Sequence, residues 1–298
     1  MNILVIGHSV VDKIIEKDNI SIKPGGIFYT VISLLSQIEK GDKVNLCTNI
    51  DKRSEGLFKE VYDKIQNDFI TIITSIPQVE LRIDDTGERK ETYTEISQNL
   101  RIPTNDLRRF DGVLINMISG NDISLAQLIE LRKNFVGTIY FDVHTLSRGI
   151  DKNLNRNFRR IDDFNKWAKC IDILQVNESE LLTLSGKKDE TKIVEELFTL
   201  GIKQFIVTKA ERGATVYFIN KDGKIESCHK DAIQVKIKNK VGCGDVFGAV
   251  YFYNYIKNKN ILAALELANV YAGISTTYSE VNELLNLNRD AVKQIGKK

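Results

Sequence analysis

Residues 238–256 read KNKVGCGDVFGAVYFYNYI, and the five residues VGCGD at 241–245 place two glycines and a carboxylate directly before a long apolar run. The apolar run predicts a helix, whose N-terminus would direct free N–H groups and the positive end of its dipole at the loop. Glycines let such N–H groups approach an anion closely. Because a carboxylate repels a bound phosphate, Asp245 needs a role of its own. We interpret it as a general base beside an anion hole formed by Gly242, Cys243 and Gly244.

The loop VGCGD also fits a plain helix start, in which Asp245 complements the dipole and the glycines form a turn. Two known nucleotide-binding motifs do not fit it. A P-loop requires G-x-x-x-x-G-K-[ST], which the chain lacks. A Rossmann dinucleotide site requires G-x-G-x-x-G after the first strand, whereas this loop reads G-x-G-x-x-x-G and lies late in the chain. A nucleotide-dependent oxidoreductase is therefore disfavoured.

The composition favours a folded intracellular protein. The 298 residues are 42% hydrophobic and 28% charged, which is enough to build a core. A net charge of +2 is too balanced to indicate nucleic acid or an anionic membrane as a partner. The four cysteines are far apart, so neither a disulfide framework nor a zinc site is expected. The N-terminus lacks the features of a signal peptide and no apolar run is long enough to span a membrane, so we expect a cytoplasmic protein.

Short apolar runs alternate with amphipathic segments along most of the chain. The runs have the length and β-branched content of buried strands, and the segments between them have helical spacing. This order predicts one α/β domain, residues 1–298, with a mostly parallel sheet and helices on both sides. The predicted strands are 2–7, 43–48, 69–74, 112–116, 137–142, 171–176 and 203–208; the predicted helices are 31–39, 55–66, 124–134, 164–170 and 191–201.

One segment departs from this alternation. Residues 79–96 form two polar, alternating arms around Asp85-Thr86-Gly87, which predicts a hairpin. The arms are too polar for the main sheet, so we expect a small projecting sheet built from segments at about 10–23 and 76–98. It is interpreted as a lid that excludes water, with a surface hairpin of no special role as the alternative.

Several landmarks, in order, resemble those of the ribokinase/PfkB carbohydrate kinase family. GCGD with its helix resembles the family signature GAGD, and the resemblance covers essentially the whole chain. Each motif alone is weak, and the ordered set is specific. The other landmarks are a first strand ending at Gly7 with Asp12 after it, KPGGIFYTVISLLSQI (23–38), GTIYFDVHTLSRG (137–149), NESELLTLSG (177–186), IVTKAERGATVY (206–217) and LANVYAGIST (267–276).

The resemblance implies a three-layer α/β/α ribokinase-like sheet with a small β lid, and transfer of the γ-phosphoryl group of ATP to an alcohol. Asp245 would be the catalytic base and residues 242–244 the anion hole. Glu180, together with Asn177, would support Mg²⁺ through water. The implied substrate contacts are Asp12, Gly25, Gly26 and Thr30, and the implied nucleotide contacts are Asn177, Thr208, Ala210, Gly213 and Asn269.

Plainer interpretations of the same residues remain. Asn177-x-x-Glu180 is also a helix N-cap with a capping-box acid, and Gly25-Gly26 is also a turn before a helix. His144 either faces the substrate or is structural. Lys236, Lys238 and Lys240 alternate on a predicted strand, either near phosphates or on a solvated edge. A helix N-terminus can lower a thiol pKa, and the sequence leaves open whether Cys243 is sensitive to oxidation for this reason.

The chain departs from the family pattern at two places. Asn239-Lys240-Val241 replaces the frequent Asp-Thr-Thr before the signature, which leaves activation by a monovalent cation open. Thr30 stands where ribokinases have an asparagine that contacts ribose, and Tyr29-Thr30 resembles the inositol-kinase-like branch. The expected acceptor is a sugar or polyol. A non-catalytic sugar- or nucleotide-binding protein on the same fold and a nucleoside kinase are the alternatives, and the lid edge suggests a homodimer.

Overall fold

A large sheet organises the computed structural model, which describes residues 1–16, 19–83, 89–150 and 156–296. Its strands, with those of two smaller sheets, are β1 (Asn2–Ile6), β2 (Ser9–Glu16), β3 (Asn19–Gly26), β4 (Lys43–Asp51), β5 (Ile70–Ile73), β6 (Gln78–Ile83), β7 (Arg89–Glu95), β8 (Gly112–Asn116), β9 (Thr138–Asp142), β10 (Arg148–Ile150), β11 (Arg156–Phe158), β12 (Ile173–Asn177), β13 (Gln204–Thr208), β14 (Ala214–Ile219) and β15 (Ile225–Lys230).

Helices fill the connections between the strands. The α-helices are α1 (Phe28–Leu35), α2 (Glu55–Tyr62), α3 (Leu125–Asn134), α4 (Phe164–Ala168), α5 (Glu178–Leu181), α6 (Glu190–Thr199), α7 (Cys243–Asn258), α8 (Ile261–Ser275) and α9 (Leu287–Ile295). Short 3-10 helices cover Leu107–Arg109, His144–Ser147, Ala210–Arg212 and Val281–Asn286.

The large sheet is mostly parallel, as predicted. Within the described residues its strand order is β15-β14-β13-β12-β9-β8-β1-β4-β5. Strand β14 runs antiparallel to both of its neighbours, β13 and β15, and the remaining neighbouring strands pair in parallel. The carboxyl ends of parallel strands meet at one edge of a sheet, where α/β proteins place their ligands.

Both faces of the sheet are covered by helices, which makes three layers. In β1, Ile3 and Val5 belong to one core cluster, while Leu4 and Ile6 belong to the other. Side chains alternate between the faces of a strand, so these clusters lie on opposite sides. The first cluster includes residues of α1, α7 and α8, and the second those of α3, α4 and α6. The predicted α/β/α architecture is confirmed.

Substitution of Phe252 tests the packing of the first core cluster. It is fully buried in α7, and its ring lies edge-on to Tyr140 with centroids 5.8 Å apart. We expect Phe252→Ala to lower the free energy of unfolding by about 3–5 kcal/mol, because it removes apolar contact and leaves a cavity. Denaturant unfolding measures this value. Leu262→Ala, at a 47% exposed position, should cost only about 0.5 kcal/mol; an equal loss in both variants would contradict the packing of α7 against the sheet.

A smaller sheet stands apart from the large one. Its order is β3-β2-β6-β7. Strands β2 and β3 pair antiparallel, as do β6 and β7, and β2 pairs parallel with β6. The two predicted arms thus lie in this sheet, and the predicted turn at Asp85-Thr86-Gly87 lies outside the described residues. A two-stranded ribbon, β10 with β11, was not predicted.

One local prediction was wrong. Residues 236–240 were expected to form a strand, but no strand covers them. The N–H groups of Lys238 and Asn239 instead both donate to the carbonyl of Thr276, which follows α8. An alternating pattern forms a strand only where a neighbouring strand can pair with it. Across the described ranges, no helix has the length and apolarity needed to cross a membrane.

Candidate active site

A cavity of about 380 Å³ opens at the carboxyl end of the sheet and reaches the smaller sheet. Most of the residues predicted for the site line it, although they come from distant parts of the chain. They are Asp12, Gly26, Asn177, Glu180, Thr208, Ala210, Gly213, Gly242, Cys243, Gly244, Asp245 and Asn269. Gly25 and Thr30, of the same predicted set, do not line it.

The glycine loop leads into α7 as the sequence predicted. Gly242 precedes the helix with φ of +75°, a left-handed conformation that glycine adopts without strain. A Cβ on Gly242 would lie 2.2 Å from the Tyr29 ring, so the loop also packs too closely for a side chain. The first turn of α7 starts at Cys243 and contains Asp245, so the positive end of the helix dipole faces the cavity.

Asp245 is buried and held by an asparagine. Its exposure is 8%, and Asn116 Nδ2 donates to Oδ1 at 2.5 Å. Burial raises the pKa of the Asp245 carboxyl above its ordinary range; the charge of His144 and the hydrogen bond from Asn116 act in the opposite direction. The balance leaves a carboxyl group that ionises closer to neutrality than an exposed aspartate.

Two more carboxyl groups lie near Asp245. Asp142 ends β9, in register with Asn116 at the end of β8. Burial, followed by the charges of Glu180 and Asp245, raises the pKa of Asp142 well above its usual value. Burial also raises the pKa of Glu180. Like charges in a buried site oppose each other's ionisation, so a cation bound beside these groups would favour their ionised forms.

A buried amide ties this cluster to the glycine loop. Gln175 Nε2 donates to Asp142 Oδ2 at 3.0 Å and to the Gly244 carbonyl at 3.2 Å. The hydroxyl of Tyr140 donates to the other end of the same amide, Gln175 Oε1. Strands β9 and β12 are therefore linked by hydrogen bonds to the first turn of α7, which fixes where the helix begins.

Asn177 and Glu180 form the capping box that the plainer interpretation described. Asn177 Oδ1 accepts from the Glu180 N–H at 2.9 Å, and Glu180 Oε2 accepts from the Asn177 N–H at 2.9 Å. Asn177 Nδ2 also donates to Glu180 Oε1 at 2.7 Å. Both residues line the cavity as well. The cap therefore fixes the position of Glu180. The same two residues can cap α5 and also line the cavity.

His144 lies at the cavity wall. It begins a 3-10 helix with φ of +38°, and its Nδ1 is 2.8 Å from the Thr145 hydroxyl. Its charge acts on both Glu180 and Asp245. The interpretation that places His144 at the site is therefore favoured over a purely structural one.

The sequence left open whether Cys243 has the lowered thiol pKa that a helix N-terminus can produce. Burial, followed by the charge of Asp245, instead raises the pKa of this thiol. Two lesser effects, backbone N–H groups and Lys240, act in the lowering direction and are outweighed. A thiol that resists ionisation reacts slowly with oxidants, since the thiolate is the reactive form.

The end of the cavity near the smaller sheet contains Asp12. A Cβ on Gly25 would lie 2.2 Å from an Asp12 carboxylate oxygen, so Gly25 leaves the room that Asp12 occupies. Gly26, with φ of +64°, lines the cavity directly. Thr30 lies in the first turn of α1 with 1% exposure, and Tyr29 lines the cavity in its place.

The opposite end is built from the β13–β14 turn and α8. Thr208 ends β13, Ala210 begins the turn, and Gly213 has φ of +91°. Asn269 of α8 donates to the Lys230 carbonyl at 3.3 Å. Lys240 lines this end and forms an ion pair with Glu211, whereas Lys236 and Lys238 are exposed, as expected for a solvated edge.

The sequence patterns did not reveal Asn116, Gln175, Arg148 and Arg156, and they gave Asp142 no role. A signal was present for two of these residues: Asn116 and Asp142 are the polar last residues of consecutive buried strands. Such residues meet at the ligand-binding edge of a parallel sheet. Gln175 lies inside an apolar run, and nothing in its neighbours distinguishes it.

Fold and cavity together define a ribokinase-like α/β/α protein with a cavity between its large and small sheets. The family model of the pfkB family carbohydrate kinase matches residues 139–287, which is half of the chain. The chain therefore belongs to the pfkB family of carbohydrate kinases.

Individual proteins give the same picture. The deoxyribokinase of Salmonella typhi is 27% identical over an alignment of 188 positions, which covers 57% of this chain and 60% of that protein. The matched region thus spans about three fifths of the length of that relative. The structure of Arabidopsis thaliana ribokinase complexed with ribose and ATP has a TM-score of 0.77 at 16% identity, covering 98% of this chain and 97% of that one.

Inositol kinases also share the fold. A pyrophosphate-dependent kinase in the ribokinase family, complexed with a pyrophosphate analog and myo-inositol, has a TM-score of 0.73 at 18% identity, covering 93% of this chain and 95% of that one. At these identities the likeness shows the fold alone. The inositol-kinase-like branch therefore stays a prediction.

Proposed function

We propose that the protein transfers the γ-phosphoryl group of ATP to a hydroxyl group of a sugar or polyol. The observation that carries this proposal is the position of Asp245. It lies in the first turn of α7, next to the Gly242 turn, in a cavity that joins Asp12 at one end to Asn269 at the other. In this proposal Asp245 is a general base that lies between the Asp12 carboxylate, which binds hydroxyl groups, and a site beside a helix N-terminus.

The family and the relatives support the same reaction class. The matching family is one of carbohydrate kinases, and the similar proteins include a deoxyribokinase and a probable fructokinase. The Arabidopsis thaliana ribokinase, which shares the fold of this chain, was solved with ribose and ATP. A cavity of about 380 Å³ has room for a sugar together with the reacting end of a nucleotide.

The chemical step is a direct displacement at phosphorus. Asp245 takes the proton of the acceptor hydroxyl, the acceptor oxygen forms a bond to the γ-phosphorus, and the bond from that phosphorus to the bridging oxygen of ADP breaks. Because Asn116 occupies Oδ1, Oδ2 is the oxygen assigned to the acceptor. The N–H groups at the start of α7, residues 242–244, stabilise the charge on the transferred group.

A magnesium ion fits the donor set when it arrives with the nucleotide. The described residues contain no group of three or more metal-binding side chains, and both Glu180 oxygens already accept from Asn177. Mg²⁺ keeps several waters and is usually held by substrate phosphates with one or two carboxylates. Glu180, which lines the cavity together with Asn177, would hold those waters, and the ion would neutralise charge on the phosphates.

The test is release of ADP from Mg²⁺-ATP against a panel of sugars, polyols and nucleosides. Turnover that depends on one class of acceptor supports the proposal and identifies that class. A titration of ATP binding by calorimetry accompanies it. ATP binding with no turnover on any compound would favour the non-catalytic binding protein instead.

Asn116→Ala is expected to shift the acid limb of the pH–rate profile to higher pH. The Asn116 hydrogen bond lowers the Asp245 pKa, so its loss raises that pKa. At any pH on the acid limb, a smaller fraction of the Asp245 carboxyl group is then ionised. Activity near neutrality should fall roughly tenfold, the value of one hydrogen bond to a charged group. Initial rates across pH measure both effects.

Asn45→Ala is the matched control for this variant. Asn45 is 3% exposed and donates to Asn2 and to the Ile3 carbonyl, away from the cavity. It should lose stability without a shift of the profile. An unmoved acid limb in Asn116→Ala would show that this asparagine does not act on the base.

A further inference from the structure

Two arginines line the cavity and have no part in the proposed phosphoryl transfer. Arg148 and Arg156 come from the ribbon β10–β11. In its antiparallel register Arg148 is opposite Phe158, and Arg156 is two residues before Phe158. Both arginine side chains therefore leave the same face of the ribbon.

Aromatic rings hold the two guanidinium groups in place. The Arg156 Cζ is 4.2 Å from the centroid of the Tyr93 ring, which belongs to β7 of the smaller sheet. The Arg148 Cζ is 4.9 Å from the centroid of Phe158. The Nε atom of each arginine is buried. These side chains are built into the wall of the cavity, in contrast to the flexible arginines of an open surface.

Contacts place Arg156 at the same end of the cavity as Asp12. The Tyr93 hydroxyl donates to the Ile118 carbonyl at 3.3 Å, and the Ile118 side chain lies 2.9 Å from the Cβ position of Gly26. Asp12 lies against the adjacent Gly25. This end is the one assigned to the acceptor in the proposed function, opposite the turn and helix assigned to ATP.

The charges at this end exceed what a neutral sugar requires. Hydroxyl groups are recognised by carboxylates and amides, whereas guanidinium groups match the geometry of carboxylate and phosphate oxygens. The donor phosphates already have the start of α7 and Lys240 as positive partners. Arg148 also lowers the Glu180 pKa, so its positive charge reaches the reaction centre. Each guanidinium has five N–H donors, so a partner within the protein leaves donors for a ligand.

We propose, on the basis of the proposed function, that the acceptor is an anionic sugar or polyol whose carboxylate or phosphate group is bound by Arg148 and Arg156. Asp12 binds its hydroxyl groups, and Asp245 faces the hydroxyl that is phosphorylated. The acceptor is thus held at both ends, which fixes which hydroxyl reaches the base.

Direct binding without ATP tests this inference. Calorimetry compares matched pairs: gluconate with glucitol for the carboxylate, and ribose 5-phosphate with ribose for the phosphate. At least one anionic compound is expected to bind about tenfold or more tightly than its neutral partner. The arm that shows the preference tells which anionic group is recognised. Equal affinity within both pairs, or no binding of either anion, would overturn the inference.

Variants link the preference to the arginines. Arg148→Gln and Arg156→Gln should each weaken binding of the anionic compound roughly 10- to 100-fold and leave the neutral partner unchanged. Arg156→Lys keeps a charge over the Tyr93 ring but loses the planar, forked set of N–H donors of the guanidinium group. Its affinity for the anionic compound should therefore lie between those of the wild type and Arg156→Gln. Arg160→Gln, at an exposed position outside the cavity lining, should bind as the wild type does.

The outcomes separate this inference from the proposed function. Anion binding that needs the arginines, without ADP release, would overturn the kinase reaction and leave the anion site standing. Phosphorylation of neutral sugars with the same kcat/KM as their anionic partners, unaffected in Arg148→Gln and Arg156→Gln, would overturn the anion site and leave the kinase standing. Thermal unfolding of each variant at the wild-type temperature shows that the fold is intact.

Discussion

Asp245→Asn is expected to reduce phosphoryl transfer by about 10²–10⁴-fold, the usual contribution of a positioned general base. Asparagine keeps the size of the side chain and can still accept from Asn116, but it cannot take a proton from the acceptor hydroxyl. ATP affinity should stay near the wild-type value, because the first turn of α7 is unchanged. Steady-state kinetics and a calorimetric titration with ATP measure the two quantities.

We also predict the effect of Asp245→Asn on stability. Burial raises the folded-state pKa of Asp245 above the ordinary value of 3.8. The folded protein therefore binds this proton more tightly than the unfolded chain, and this source of stability is lost as pH rises through the folded-state pKa. An asparagine at this position does not ionise, so Asp245→Asn avoids this loss of stability. At neutral pH the variant should therefore unfold at the wild-type temperature or above.

A matched control separates the base from a general effect of charge. Glu55 is an exposed acid in the first turn of α2, and Glu55→Gln should keep full activity. Wild-type turnover in Asp245→Asn, or ATP binding lost together with activity, would contradict the role proposed for Asp245.

Gly242→Ala is expected to lower activity by about 10²-fold. A Cβ at this position would lie 2.2 Å from the Tyr29 ring, and the backbone is left-handed with φ of +75°. The strain alone costs about 1–2 kcal/mol, and relief of the clash would displace the start of α7 by a fraction of an ångström or more. Misplacement by about 1 Å can cost about 10²-fold in rate. Turnover and unfolding free energy are the measurements.

Gly223→Ala isolates the backbone contribution. Gly223 has φ of +77° and no heavy atom within 4 Å of its Cβ position. This variant should lose a similar amount of stability to backbone strain and keep its activity. If both glycine variants kept full activity, the turn before α7 would have no place in the anion hole.

The fold was predictable because its main signals are local. The alternation of apolar runs with amphipathic segments indicated the parallel sheet, and the VGCGD loop indicated the start of α7. The polar arms around residue 86 could not join the main sheet, and the described parts of both arms lie in the smaller one. Each of these features depends on residues within a few positions of one another.

The features that could not be predicted depend on contacts between residues that are far apart in the sequence. Asn116 and Asp245 are 129 positions apart in the sequence, and their hydrogen bond exists only because β8 ends beneath α7. The ribbon β10–β11 has strands of three residues, too short for an alternating pattern. Lys236, Lys238 and Lys240 showed such a pattern, yet the backbone there bonds to Thr276 instead of a strand.

The most direct measurement is mass spectrometry of an acceptor pool incubated with the protein and Mg²⁺-ATP. The pool contains neutral sugars, polyols, nucleosides, gluconate and ribose 5-phosphate, and Asp245→Asn is run beside the wild type. We expect one class of compound to gain a phosphoryl group with the wild type and not to gain it at a comparable rate with the variant. ATP bound in the cavity with no phosphorylated compound, or equal product from both proteins, would contradict the proposed function.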